Sequence, residues 1–288
     1  MEHRPHKLLY QVKDHAQSQK NFDIYWNEEQ TIAKTDIANI QNIEDYYSTD
    51  YIPYCSKSST PQGHIYLIVR QWMHGKKWKL IKRHIQRKKA KILDFGAGGG
   101  YFGDYLKKRV QRVDLIESNH RAKFQCKQKG HHVYSHLKEL PKSSTYDVIS
   151  LWHVLEHLYN PKETLFRLKE FLDENGILVL ALPNTESLDS KRYKAYWAAW
   201  DVPRHLWHFT PQGLIGLLED VGLQVIKKRT LFFDGFYISQ LSEKYKRSKG
   251  WQLKGVFWGA VSHVWGWISG NYSTMVLVVK IKQASSRD

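Results

Sequence analysis

Sulfur is scarce in this chain: two cysteines, Cys55 and Cys126, stand among 288 residues and form no CxxC pair. That excludes a cysteine zinc ribbon, gives no disulfide framework, and fits a reducing, cytoplasmic setting. Acidic side chains are also few, with 28 Asp and Glu against 44 Lys and Arg, a formal net charge of +16. Such a balance implies an anionic partner (nucleic acid, lipid surface or acidic substrate) or simply a basic solvated surface. No run of about 18 uncharged apolar residues occurs, so no transmembrane helix is expected. The opening MEHRPHKLLY lacks the apolar core of a secretory leader. Fifteen histidines occur without an HExxH or HxH pair, so no metal site is expected. Aromatics, by contrast, are plentiful. The 11 Trp and 17 Tyr exceed what a core of this size needs, which leaves aromatic surface for binding.

Residues 1–62 are polar and tyrosine-rich, with few periodic apolar runs, and read as a small cap or arm. In 64–87, Ile65, Ile68, Val69, Trp72 and Met73 fall at helical spacing, and Trp78, Ile81 and Ile85 resume it after Gly75. One or two amphipathic helices are expected there, with nine Lys and Arg between Lys76 and Lys91 on the outer face. Residues 1–87 thus form a helical or irregular N-terminal cap with basic helices. From residue 90 short apolar runs alternate with longer amphipathic ones. Strands are expected at 91–95, 112–117, 132–135, 146–152, 177–182, 223–233 and 274–282, and helices at 101–109, 119–129, 161–172 and 211–221. This alternation predicts an α/β fold, a Rossmann-like seven-stranded, mostly parallel sheet with helices on both faces, spanning 88–233 and 274–284.

Between the last two strands lies an insertion, 234–273, too long for a simple connection. Its segment 244–270 is basic first, then aromatic and apolar. Leu253, Val256, Phe257, Ala260, Val261, Val264 and Ile268 share a helical face, with Trp251, Trp258, Trp265 and Trp267 spread around it. Two readings stand: a lid or dimer surface packed on the sheet domain, or a peripheral membrane contact. The segment is too short and glycine-broken to span a bilayer.

The strongest motif is 92-ILDFGAGGGYFGDYL-106. A buried strand ends at Asp94, and Gly96, Gly98, Gly99 and Gly100 turn the chain into a helix. Glycines allow positive φ and close ligand approach, and the helix start presents free N–H groups. Gly98-x-Gly100-x-x-Gly103 formally matches the dinucleotide pattern GxGxxG. That pattern, however, expects its first glycine directly after the strand. Counted from Gly96, its third glycine falls on Tyr101. The acid just before the turn would repel a pyrophosphate and attract a cation, so S-adenosylmethionine (SAM), which carries an ammonium and a sulfonium, is the expected cofactor. Glu117, ending the next strand in 113-VDLIES-118, is placed to accept both ribose hydroxyls. Past the third strand, His136 and Leu137 are expected to flank the adenine.

With LDFGAGGGYF, VDLIES, YDVISLWHVLEHLYNP and GILVLALPN followed by RHLWHFTPQGLIGLLEDVGLQV in view, the chain resembles class I SAM-dependent methyltransferases. It looks most like the ubiquinone and menaquinone O-methyltransferase-like group. The stretch around EDYYSTDYIPY and the segment FYISQLSEKYK resemble a bacterial subgroup of it. Many relatives carry an N-terminal cysteine zinc ribbon, whose cysteines this chain lacks. The resemblance implies that Asp94, Gly96, Gly98 and Gly100 line the methionine side of SAM. It further implies that Glu117 with Ser118 meets the ribose, and that Trp152 and His153 close the strand-four end beneath the sulfonium. The expected function is methyl transfer to a small-molecule or lipid- or sugar-linked acceptor, with a hydroxyl as the receiving group. The alternatives are an RNA or tRNA methyltransferase, favoured by charge but lacking an appended RNA-binding motif, and a SAM-binding protein without catalysis. If the acceptor is a hydroxyl, a neutral histidine suits its deprotonation, and candidates cluster in 152-WHVLEH-157 and 200-WDVPRHLWHF-209. His153, His157 and His205 are the candidate catalytic residues. Arg204 is placed to bind an anionic acceptor group or to pair with Asp201, and Trp200 and Trp207 to wall the acceptor.

Overall fold

A computed structural model describes residues 7–47, 61–85 and 90–283, with the side chains of 61–68 left out. Cys55, most of the YYSTDYIPY stretch, the side chains of Ile65 and Ile68, and Arg87, Lys88 and Lys89 of the basic run lie outside the described residues. In chain order the elements are β1 (Lys7–Lys13), β2 (Asn21–Trp26), β3 (Ile32–Thr35), α1 (Pro61–Ile81), β4 (Lys91–Phe95), α2 (Tyr101–Leu106), β5 (Arg112–Ile116), α3 (His120–Gln128), β6 (His132–Tyr134), β7 (Tyr146–Trp152), α4 (Pro161–Glu170), β8 (Leu172–Pro183), α5 (Leu188–Tyr193), β9 (Trp207–Phe209), α6 (Pro211–Asp220), β10 (Leu223–Arg229), α7 (Asp234–Tyr245), α8 (Trp251–Ser269) and β11 (Thr274–Ile281).

The large sheet has seven strands in the order β10-β11-β8-β7-β4-β5-β6. Strands β8, β7, β4, β5 and β6 run parallel, and β11 inserts antiparallel between β8 and β10. This is the expected Rossmann-like sheet. Its central strands read as continuous apolar runs because both faces are covered. Leu93, Ile149, Leu151, Leu178 and Leu180 pack toward α4 and α6, while Ile92, Val148, Val179 and Val276 pack with Phe102, Leu106 and Ile81 on the other face. Helices start where the sequence caps them. Asn119, Asn160 and Thr210 accept backbone N–H groups ahead of α3, α4 and α6, and Pro161 and Pro211 occupy first-turn positions. From β4 the chain runs outward through β5 and β6, then returns to the other side of β4 as β7. The point between β4 and β7 is a topological switch, where the carboxyl ends of the strands leave a crevice.

The N-terminal cap holds more regular structure than expected. β1, β2 and β3 form an antiparallel sheet that β9 completes. Its buried Val12, Ile24 and Ala33 pack on Trp197, Trp200 and Tyr193, so the apolar partners come from the far side of the chain. The helix at 61–81 runs unbroken through Gly75.

The insertion folds as a helical hairpin of α7 and α8. Small residues on α8 (Gly255, Gly259, Ser262 and Gly266) are the buried ones. A Cβ on Gly255 would lie 2.4 Å from Gln240 Cα, and one on Gly259 would lie 2.7 Å from Phe236 Cα, so the two backbones touch. Buried Asp189 ties the hairpin down by accepting hydrogen bonds from Ser262 (2.8 Å), Ser273 (2.9 Å) and the Trp197 indole (2.8 Å). The apolar face, turned inward in the lid reading and outward in the membrane reading, points outward, and the glycine stripe on the opposite side packs on α7.

Candidate functional site

At the end of β4 the backbone turns through three glycines with positive φ: Gly96 (75°), Gly98 (54°) and Gly100 (73°). Only glycine adopts this readily, and a Cβ on Gly96 would also strike Val154 at 2.4 Å. The turn is held by its neighbours. Gly98 N donates to Glu117 Oε2 (2.7 Å), Cys126 Sγ donates to Gly98 O (3.2 Å), and Lys129 Nζ donates to Gly99 O (2.6 Å). Glu117 also accepts from Asn119 N (2.8 Å). Burial pushes its carboxyl pKa up, against the pull of these backbone donors. Ser118 and His136 are exposed and Leu137 half-buried, all just past the carboxyl ends of β5 and β6.

Asp94 lies buried beside this turn and accepts a hydrogen bond from Ser150 Oγ (2.6 Å). Burial raises its pKa to about 6, with the Ser150 bond and the Lys77 charge opposing. Lys77, from α1, lies 4.5 Å above the Trp152 ring and 5.5 Å above Phe102. Burial lowers its pKa, while the charges of Asp94 and Asp234 favour its ammonium. The pocket therefore already cradles a cation between carboxylates and an aromatic face, an arrangement that attracts cations generally. The buried Trp152 indole N–H, moreover, has no hydrogen-bond acceptor among the described residues. A cationic cofactor with further acceptor atoms fits this set. Lys77 and Asp234 escaped the sequence reading, since one looked like part of a basic outer face and the other like the start of an insertion.

His153 follows β7 with a φ of 58°. Its Nδ1 lies 3.3 Å from Glu156 Oε1 and its Nε2 lies 3.1 Å from Asp234 Oδ2. Burial works to lower its pKa, but the hydrogen bonds and charges of Asp234 and Glu156 outweigh that and raise it to about 10. At neutral pH it is an imidazolium and has no lone pair with which to act as a base. His157 is the opposite case. Burial and the neighbouring His205 hold its pKa down to about 4, so its ring is neutral. Its Nδ1 lies 2.9 Å from the Arg204 carbonyl and 3.1 Å from the Tyr47 hydroxyl, so Nδ1 carries the proton and Nε2 the lone pair. His205 packs edge-on against it at 4.6 Å and donates from Nδ1 to Ala199 O (2.8 Å). Glu156, His157 and His205 each bring one ligand atom within 4.8 Å of the others, close enough to converge on a cation. No sequence spacing signals this, because His205 arrives from a distant loop.

Three residues expected to line the acceptor are committed elsewhere. Buried Arg204 donates to Asp201 (2.7 Å and 3.0 Å), Asp14 (3.0 Å), Tyr46 O (3.0 Å) and Val202 O (3.2 Å), which fastens the N-terminal sheet to the loop before β9. Of the two roles open to it, pairing holds, because all its donor groups point into protein. Trp200 is fully buried between Trp197, Tyr10 and His208, and its indole donates to Lys194 O. Trp207 donates to Leu158 O (2.9 Å) beneath Lys34. Among the described residues, no helix is long and apolar enough to cross a membrane.

Residues 69–228 match the family model of a methyltransferase domain. The chain is 25% identical over 173 residues to a ubiquinone biosynthesis O-methyltransferase of Rickettsia canadensis, covering 54% of this chain and 72% of that one. It is 27% identical over 176 residues to a tRNA U34 carboxymethyltransferase of Tolumonas auensis, covering 54% of this chain and 52% of that one. In fold it is similar to the magnesium protoporphyrin IX methyltransferase of Synechocystis with bound SAH, with a TM-score of 0.52, 12% identity, and 80% of this chain and 91% of that one covered.

Proposed function

Since the chain belongs to the methyltransferase-domain family and is a SAM-dependent methyltransferase, we propose that it methylates a hydroxyl on a small-molecule or lipid- or sugar-linked acceptor. The observation that carries this reading is geometric: at the β7 end His153 is held between the carboxylates of Glu156 and Asp234, while His157 is held by the Arg204 carbonyl and the Tyr47 hydroxyl at Nδ1. When bound, SAM supplies an electrophilic methyl group. The chain's own residues then align, orient and manage charge. Asp94 and the Gly96–Gly100 turn hold the methionine end, Glu117 and Ser118 take the ribose, and His136 and Leu137 border the adenine. Trp152 covers the sulfonium side, where Lys77 must yield its place over the ring.

With SAM supplying the methyl group, the chain's own task on the acceptor side would be to orient the hydroxyl and take up its proton. His157 Nε2 is the lone pair available for it. His153 keeps both ring nitrogens on Glu156 and Asp234, so it positions those two carboxylates and offsets one of their charges, and the cluster stays compatible with a sulfonium. The relatives named as ubiquinone O-methyltransferases support a hydroxyl acceptor. A second reading, methylation of tRNA, draws on the tRNA-modifying relative and the net charge of +16. The two separate when methyl-labelled SAM is supplied with lipid extract, aqueous small molecules and total tRNA. Label in an extract and none in tRNA is expected; label in tRNA alone would overturn the reading.

A further inference from the structure

The outer face of α8 is built the wrong way round for a helix that ends at water. Leu253 (81% exposed), Phe257 (59%), Trp267 (78%) and Ile268 (69%) lie along one arc with Val256 and Val264. The glycines and Ser262 occupy the buried side. Exposed apolar surface of this continuity marks a contact with something other than water. The surroundings say what kind. Lys244, Lys246, Arg247, Lys249 and Lys254 are exposed at the entry to the helix. After Glu243 the chain carries no Asp or Glu until its last residue, Asp288. A second copy of the chain would bring the same acid-free basic surface and offer no opposite charge, whereas an anionic lipid surface offers both apolar depth and negative charge.

We propose that the outward face of α8, with the basic residues before it, docks this enzyme on an anionic lipid surface. Residues 251–269 lie along the interface, with tryptophan and phenylalanine at the acyl boundary and the lysines and Arg247 at the headgroups. The same hairpin reaches the site. α7 begins at Asp234, whose carboxylate holds His153, so docking sets the acceptor side of the crevice near the lipid surface. Delivery of a lipid-linked acceptor from that surface rests on the proposed acceptor class; the docking itself does not.

The test is co-sedimentation with vesicles of phosphatidylcholine alone, or with about one third phosphatidylglycerol. The proteins are the wild type, a Leu253→Ser/Phe257→Ser/Trp267→Ser variant and a Lys246→Ser/Arg247→Ser/Lys249→Ser variant. All six positions are exposed, so the melting temperature and SAM affinity should not change, and both are measured alongside. The wild type is expected to partition to the anionic vesicles at least about tenfold more than to the neutral ones, and each variant to lose about tenfold of that binding. A wild type that stays in the supernatant would overturn the proposal, as would an apolar variant that sediments unchanged. So would a wild-type dimer that the apolar variant splits into monomers, which would assign the face to a second copy. Vesicle binding without methylation of any lipid-linked acceptor would leave the docking standing and remove only the acceptor class.

Discussion

On one side of the sheet's carboxyl edge, Asp94, the glycine turn and Glu117 come from one stretch, residues 94–117, and most of their contacts are to backbone. On the other side, Tyr47, His153, Glu156, His157, His205 and Asp234 arrive from four separate segments, and their contacts are mainly among side chains. The first side is rigid by construction, since a loop whose conformation is set by glycine and by backbone donors has few alternatives. The second is held by charge, and its chemistry depends on which ring carries a proton. Cofactor affinity and turnover should therefore fail separately when each side is damaged.

The largest effect is expected from Gly96→Val. It adds a branched side chain at a φ of 75° and drives it into Val154, so the turn cannot form as it stands. SAM binding, read by calorimetry, should be abolished; retained binding would mean that the turn is not the cofactor cradle. Glu117→Ala comes next. Two charge-assisted hydrogen bonds to a ribose are worth roughly 1.5–3 kcal/mol each, so SAM affinity should fall about a hundredfold or more. An unchanged dissociation constant would take Glu117 out of the site.

How much of this was legible in the sequence follows the same division. ILDFGAGGG and VDLIES placed Asp94, the turn and Glu117 because strand, turn and helix start are neighbours in the chain. The small N-terminal sheet was not legible. Its strands are short, and the side chains that cover Val12, Ile24 and Ala33 lie at Tyr193, Trp197 and Trp200, so no local period shows the burial. For Arg204 the pairing with Asp201 was one of the two roles its neighbours in the sequence offered, but its second partner, Asp14, was out of reach because it comes from the β1–β2 turn. For α8 the period picked out the apolar face and left its direction open. Periodicity finds an apolar stripe, and only contact with α7 shows that the glycine side is the one that packs.

Asp234→Asn sharpens the comparison on the acceptor side. It removes a charge that raises the His153 pKa, so the imidazolium is lost at lower pH than in the wild type. Turnover should fall about tenfold at mild alkaline pH, and the basic limb of the pH–rate profile should move down. Asp234 also faces Lys77 in the cation pocket, so SAM affinity should drop as well, but by less than in Glu117→Ala; a drop as large as that would merge the two sides. In the wild type, the folded-state pKa of His153 is raised above its ordinary 6.5 to about 10. Its contribution to stability is therefore full below about pH 6.5 and is lost as pH rises toward 10.

The smallest effect concerns Asp94, whose pKa is raised to about 6. Below that pH its carboxyl takes up a proton and stops attracting a cation. SAM affinity should then weaken by about tenfold per pH unit at most. A binding constant flat from pH 7 to pH 5 would show that Asp94 contributes no charge to the cofactor site.

The central claim, that a SAM-binding crevice serves a hydroxyl beside His153 and His157, is tested most directly by carbon-13 NMR. The enzyme is incubated with methyl-labelled SAM and fractionated lipid and small-molecule extracts, with His157→Ala in parallel. The account predicts a new methoxy carbon that forms with the wild type and is strongly reduced with the variant, at equal SAM binding. A label found instead on nitrogen or in RNA, or a methoxy product formed equally by His157→Ala, would contradict it.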